Sequence, residues 1–396
     1  MKNGIFRLAK VVLAAVMIAA VASGCGLFSM GENGGADKVN RSKYDDNREL
    51  YPVYSSLMSE DERDAYVRIC NAMENYDDSE VLIGVYDTKE EMKEAIDWLD
   101  FTYQQIAYEQ PDYFWVDPNF YSYTEMEAGD EYKLFVEISY NVSKDEYKSL
   151  KSEYDSIVGD VVSGAEAQTD LFHKVLYVYD YILDNTVYDY DLAESDESGD
   201  ISRSAYGCLV EGETVCSGYA LAFTAIMQEL GIECGSEFNS YGEFSIVSGH
   251  VWNYCKLDGE YYYFDATWDD TAFDSDEYES YIHRGYLYFG ITKDELYTSH
   301  LPLDGRAPTP VCNGTKYNYF RYTGANFDTY DFDSVGSYIE SQSDSGFVAM
   351  RFGSYSELLK AQFELMDDSR IYEILPDAEE IMYVSSDANL HLILFF

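Results

Sequence analysis

Three side chains that could act together on a carbonyl group stand in one stretch of the chain, between Gly207 and Asp270. They are the thiol of Cys216, the imidazole of His250 and the carboxylate of Asp265. A thiolate attacks in covalent acyl transfer, an imidazole moves the proton, and a carboxylate fixes which ring nitrogen carries it. Each residue alone has a plainer reading: a small buried thiol, a histidine in a hairpin, an aspartate near a turn. Their joint value depends on the elements that hold them.

Tyr219, Phe223, Ile226, Met227 and Leu230 recur at helical spacing after Cys216, and Gly231 is placed to stop that helix. Cys216 is therefore expected at the start of a buried helix, where unpaired backbone N–H groups and the helix dipole favour a thiolate. The small residues Ser217, Gly218 and Ala220 leave room for a substrate to approach. Downstream, His250–Leu257 and Glu260–Trp268 flank Asp258-Gly259, the signature of a two-residue type I′ turn. That turn sets Leu257 against Glu260, Trp252 against Asp265 and His250 against Thr267. Alternation puts His250, Trp252, Tyr254, Tyr263, Asp265 and Thr267 on one face, and sends Val251, Cys255, Leu257, Tyr262, Phe264 and Ala266 into a core. His250 and Asp265 become diagonal neighbours with backbones roughly 7–8 Å apart, within side-chain reach.

The segments Val215-Cys216-Ser217-Gly218-Tyr219-Ala220-Leu221-Ala222-Phe223, Leu230-Gly231-Ile232, Gly249-His250-Val251-Trp252-Asn253 and Phe264-Asp265-Ala266-Thr267-Trp268 together resemble the transglutaminase-like superfamily. Tyr286 through His300 also looks like the tail of such domains in bacterial surface lipoproteins. The resemblance covers about residues 166–311. It implies an α+β fold with a papain-like core, in which a buried helix bearing the cysteine packs on an antiparallel sheet bearing the histidine and aspartate. By the same resemblance Cys216 is the nucleophile, His250 the base and Asp265 its orienter. Animal transglutaminases take an oxyanion donor from a tryptophan upstream of the cysteine. The tryptophans here are Trp98, Trp115, Trp252 and Trp268, and none stands at that place. Tyr206 is the substitute this reading offers, with the Cys216 backbone N–H as the second donor.

The rest of the chain supplies an address and flanking structure. Lys2, Arg7 and Lys10 precede an apolar run, Val11–Val21, that is short for a membrane span. Ala22-Ser23-Gly24-Cys25 follows and resembles a bacterial lipobox, which implies cleavage before Cys25 and a lipid on its thiol. Residues 1–24 thus read as a lipoprotein signal peptide and residues 25–48 as a flexible tether rich in Gly, Asn, Asp and Ser. Residues 49–165 read as an N-terminal α+β region, with helix starts at Ser59, Thr88 and Ser143 and strands at Val81–Tyr86 and Tyr132–Tyr140. The aromatic run Tyr113-Phe114-Trp115 reads as core. Residues 166–311 are the cysteine-bearing domain and residues 312–396 a small C-terminal α+β domain.

With 26 basic against 74 acidic side chains the net charge is −48, which excludes the electrostatic footprint of a nucleic-acid binder. The hydrophobic fraction of 46% excludes a disordered acidic tail. Cys70, Cys208, Cys234, Cys255 and Cys312 show no paired spacing and read as small buried hydrophobes, not as a zinc site. The carboxylates of Asp269, Asp270, Asp274, Asp276, Glu277 and Glu279 are a place for calcium, but without the glycine and spacing of an EF-hand loop. They read as a solvated acidic loop, and no cofactor is expected. The expectation is a lipid-anchored thiol enzyme on the extracytoplasmic face of a cell membrane. It would act on protein or peptide amides, cell-wall peptide among them, as a peptidase or amidase if water accepts the acyl group and as a cross-linker if a lysine amine does. The alternative is a non-catalytic surface binding or adhesion module on the same fold.

Overall fold

The computed structural model describes residues 58–195, 200–239, 249–271, 285–300, 309–386 and 389–396. The signal segment, Cys25 and the tether lie outside the described residues, as do Asp274, Asp276, Glu277 and Glu279 of the acidic loop. Among the described residues no helix is long and apolar enough to cross a membrane.

Capping chemistry sets the helix starts of the N-terminal region. Ser59, Thr88 and Ser143 each accept a bond from the amide three residues on, and Glu62, Glu91 and Glu146 reach back to the cap backbone. These boxes open α1 (Glu60–Glu74), α2 (Lys89–Glu109) and α3 (Lys144–Glu166). Between them β1 (Val81–Tyr86), β2 (Val116–Ala128) and β3 (Glu131–Tyr140) form an antiparallel sheet in the order β1-β3-β2. No alternation in the sequence announces β2. Its register against β3 shifts between Val116 and Tyr121, so Pro118 falls in an irregularity where a missing N–H is tolerated. Phe114 and Trp115 are buried, and the Trp115 indole donates to the Met73 carbonyl at 3.0 Å.

A single apolar cluster runs from Ala65 in α1 through Trp115, Tyr154, Val175, Phe223 and Phe264 to Tyr317. The N-terminal region therefore shares its core with the cysteine-bearing module. In that module α4 (Leu171–Asn185) starts at its Asp170 cap, and the short parallel pair β4 (Val187–Tyr188) and β5 (Glu213–Thr214) leads into α5 (Cys216–Glu229). Every residue of α5 from Gly218 to Met227 is buried, as in a helix enclosed on all sides. Gly231, at φ 71°, ends it.

Against α5 lies an antiparallel sheet of β6 (Cys234–Asn239), β7 (His250–Leu257), β8 (Glu260–Phe264) and β9 (Phe289–Ile291), in that order. Asp258 and Gly259 have φ of 50° and 88°, the two positive values a type I′ turn needs, and Leu257 pairs with Glu260. The second arm is shorter than alternation implies. β8 ends at Phe264 and α6 (Ala266–Thr271) follows, because Asp265 caps that helix. The Asp265 Oδ1 accepts the Trp268 amide at 3.1 Å and its carbonyl accepts the Asp269 amide at 3.2 Å. The anticipated pairing of His250 with Thr267 and of Trp252 with Asp265 is thus not made, because the β7–β8 ladder stops at Asn253 and Phe264. His250 and Trp252 pair with Asn239 and Glu237 of β6. Both faces of the sheet are covered: Cys255, Leu257 and Phe264 join the main core, while Trp252 and Tyr263 join Tyr288, Ile291, Leu296 and Cys312 in a second cluster.

After β9 comes the short α7 (Lys293–Leu296), and then the C-terminal domain. Its strands β10 (Asn326–Phe327), β11 (Phe347–Phe352), β12 (Met382–Ser386) and β13 (His391–Phe395) lie in the order β10-β11-β13-β12. With α8 (Phe332–Ser341) and α9 (Tyr355–Gln362) they enclose a separate core that includes Val335, Met350, Leu358 and Leu392. This domain meets the module through Arg351 Nη2 and Glu295 Oε1 at 2.5 Å, and through Asn389 Nδ2 donating to the Tyr288 hydroxyl at 3.4 Å.

Candidate active site

Cys216 is the first residue of α5, after Val215, whose side chain makes no capping bond. The first intrahelical bonds arrive from Gly218 and Tyr219, both to the Val215 carbonyl at 2.9 and 3.3 Å. The amides of Cys216 and Ser217 lie before them, so they point out of the helix start. Two side chains fix this end of α5. Ser217 Oγ donates to the Arg203 carbonyl at 2.6 Å, and Asn253 Nδ2, on β7, reaches the Ala220 carbonyl and Thr224 Oγ1, each at 2.9 Å. Asn253 is wholly buried, so its amide clamps helix to sheet without competition from water. Cys216 is only partly buried, whereas Cys70, Cys208, Cys234, Cys255 and Cys312 are buried. Burial pushes the Cys208 thiol up to about 12, against its use as a second reactive sulfur.

His250 heads β7, and its Nε2 lies 2.6 Å from Asp265 Oδ2. The Cys216 side chain is also a hydrogen-bonding neighbour of this imidazole. Burial alone would lower the imidazole's proton affinity. The charge and hydrogen bond of Asp265, with the bond and charge of Cys216, outweigh burial and raise it to about 10. The structure thus brings together the three residues that the sequence singled out. Only the route differs: Asp265 arrives as a helix cap rather than as a cross-strand neighbour.

Asp265 is fixed on every side. Its backbone N–H donates to the Tyr288 carbonyl at 3.2 Å, its own carbonyl accepts from the Tyr179 hydroxyl at 2.9 Å, and Oδ1 is used by the α6 cap. Burial opposes its charge, yet His250 and the hydrogen bond of a second imidazole hold the carboxyl well below the ordinary carboxylate range. That second imidazole belongs to His300, whose Nε2 lies 2.8 Å from the same Oδ2 and whose Nδ1 meets Ser299 Oγ at 2.8 Å. Sequence reasoning did not assign His300 to the site. It stands in a segment with family resemblance, but no spacing or periodicity aims it at a residue 35 positions earlier.

Tyr206, the proposed oxyanion donor, packs into the main core, its ring 4.8 Å from that of Phe114. Its amide is bonded to Ser204 Oγ at 3.1 Å, and its phenol feels the charges of Glu153 and Glu211. The phenols that sense the charge of Cys216 are those of Tyr108, on α2, and Tyr188, on β4; burial first, then Cys216, raises each to about 12.

His250, Asp265 and His300 place three candidate metal-ligating atoms within 4.8 Å of one another. The O···N separations of 2.6 and 2.8 Å are those of shared protons. Two ligands on a tetrahedral zinc, each bonded at about 2.0–2.1 Å, stand roughly 3.3 Å apart. The cluster fits a hydrogen-bonded network better than a metal centre.

A helix start bearing a thiol packs on an antiparallel sheet that presents an imidazole beside a buried carboxylate, so the class of the fold is α+β. Residues 155–266 match the family model of the transglutaminase-like superfamily. Kyphoscoliosis peptidase of Homo sapiens is 28% identical over 135 residues, which are 32% of this chain and 20% of that protein. The chain therefore spans about a fifth of the length of this curated relative. A solved structure of a TGase aligns over 37% of this chain and 44% of that one, with 15% identity and a TM-score of 0.27.

Proposed function

We propose that this protein is a thiol enzyme that opens amide bonds of proteins or peptides through a thioester on Cys216. The carrying observation is the position of His250, whose Nε2 lies 2.6 Å from Asp265 Oδ2 and whose ring has the Cys216 side chain at the α5 start as a hydrogen-bonding neighbour. In this reading the Cys216 sulfur adds to the amide carbonyl and the oxyanion meets the amides at the α5 start. His250 then gives its proton to the leaving amine, so that the C–N bond breaks as the thioester forms. Water, deprotonated by His250, hydrolyses the thioester; a lysine amine in its place forms a new amide. Hydrolysis is favoured because water needs no acceptor site. Asp265 holds the imidazole in the orientation both halves require. Nucleophile, base and orienter are all side chains, so the chemistry calls for no cofactor. We further propose attachment by a lipid on Cys25 to the extracytoplasmic face of a membrane, with cell-wall peptide among the substrates.

The test is to incubate the purified protein with a panel of peptide amides, with and without a fluorescent primary amine. Release of free acid identifies a hydrolase, and amine incorporation a cross-linker. Cys216→Ser is expected to lose both, because a serine hydroxyl is a far weaker nucleophile at neutral pH. Tight binding of a peptide with no turnover in either arm would instead mark a binding module.

A further inference from the structure

His300 is buried at 1% exposure, and the proposed chemistry does not use it. Its ring is ordered by its surroundings: Trp268 at 4.2 Å, Trp252 at 5.0 Å, Tyr288 at 5.3 Å and His250 at 5.4 Å between ring centroids. Its amide closes the turn after α7 by donating to the Leu296 carbonyl at 2.9 Å. Nδ1 is held by Ser299, so the ring cannot flip without losing two bonds. A carboxylate only accepts, so at 2.8 Å the proton between His300 and Asp265 Oδ2 belongs to the histidine Nε2. The same oxygen takes the proton-bearing Nε2 of His250 at 2.6 Å.

We infer that His300 is a positioning residue for this thiol enzyme: its second N–H donor on Asp265 Oδ2 keeps the shared proton on His250. The inference rests on the thiol-enzyme reading and deepens it. A buried carboxylate facing one imidazolium has two ways to relieve its charge: hold the ion pair, or take the proton and leave two neutral groups. In a dry site the second competes strongly, since isolated charge is costly there. Each added hydrogen-bond donor stabilises the ionised carboxylate and lowers its claim on that proton. Oδ1 has a backbone donor, the Trp268 amide at 3.1 Å, and His300 supplies the side-chain donor on the other oxygen. The other titratable groups around the cluster are Cys216 on α5, Tyr179 on α4, Tyr188 on β4, Asp269 on α6 and Tyr288 before β9. Tyr179 and Tyr288 are directed elsewhere: the Tyr179 hydroxyl to the Asp265 carbonyl and the Asp269 carboxyl, the Tyr288 hydroxyl to Ser299. Without His300 the proton would move toward Asp265, His250 would lose its charge, and Cys216 would face a neutral imidazole.

The experiment needs no substrate. The full chain is treated with iodoacetamide from pH 5 to 9, and the rate at the Cys216 peptide is read by mass spectrometry. An ordinary cysteine with pKa about 8.5 is roughly one part in 300 thiolate at pH 6, so a thiolate–imidazolium pair stands out there. His300→Phe keeps a ring among the tryptophans but no donor, and should slow alkylation at pH 6 by about tenfold or more, with the acid limb moved to higher pH. His300→Gln restores an N–H of similar reach and should stay within about threefold of wild type. A folded His300→Phe with the wild-type profile overturns the inference, and so does His300→Gln as slow as His300→Phe. If His300→Phe does not fold, His300→Leu takes its place under the same criteria. Wild-type Cys216 alkylated no faster than free cysteine would sink the thiol-enzyme reading itself, and that outcome is seen before any variant is compared.

Discussion

Asp265 carries two functions on one carboxylate. Oδ1 caps α6 and Oδ2 serves the imidazoles, so the aspartate that orients His250 is itself oriented by the helix it starts. Four positions later, in α6, Asp269 has a different environment. It accepts from the Tyr179 hydroxyl at 2.5 Å and from the amides of Leu287 and Tyr288 at 2.7 and 3.1 Å, yet burial pushes its carboxyl up to about 7, with Asp265 nearby adding to the rise. A carboxyl whose folded value lies above its unfolded value of about 3.9 binds its proton more tightly in the folded state. Its stabilising contribution is complete below about pH 4 and is lost as pH rises through about 7. Asp269→Asn, whose amide resembles the protonated carboxyl, should flatten the fall in stability over that window. Urea midpoints of both proteins at matched pH values check this, and parallel curves would remove Asp269 as the cause.

At the scale of elements, the site depends on how closely α5 approaches its surroundings. A methyl group on Gly218 would meet the buried Thr214 side chain, with Thr214 Cβ at 2.8 Å, and Thr214 is itself tied to the Ser202 carbonyl. Thr214 is short and branched and cannot swing away. Gly218→Ala should therefore push the first turn of α5 outward, carry Cys216 away from His250, and cost about 1–3 kcal/mol as an overpacked core does. The check is a combined one: a lower thermal midpoint together with slower alkylation of Cys216. An unchanged alkylation rate would show that the turn absorbs the methyl elsewhere.

Over the whole molecule, the cysteine-bearing module does not stand by itself. It shares a core with the N-terminal sheet and helices, and it receives Arg351 and Asn389 from the C-terminal domain close to the segment that ends in His300. The net charge of −48 keeps the surface repulsive to other anions. In the proposed anchored form, Cys25 is the single attachment point, and Cys25→Ser should shift the protein from the detergent phase to the aqueous phase or leave it unprocessed. Equal partitioning of variant and wild type would argue against a lipid on that thiol.

What the chain wrote locally, the sequence alone determined. Capping boxes place helix starts within four residues of their signals, the apolar stripe after Cys216 makes the thiol a helix start, and Asp258-Gly259 fixes the register of β7 on β8. These depend on neighbours a few positions away, where propensity and turn chemistry act directly. Asp265 meets His250 for a reason only partly legible: its cap on α6 competes with continuation of β8, and the packed helix wins. Tertiary structure alone decided the rest. Tyr206 turns to Phe114 because the N-terminal region supplies a core for it to join, and His300 returns to Asp265 because β9 and α7 fold the chain back over the sheet. Contacts between residues so far apart depend on how separate elements pack, and no periodicity within either segment encodes them.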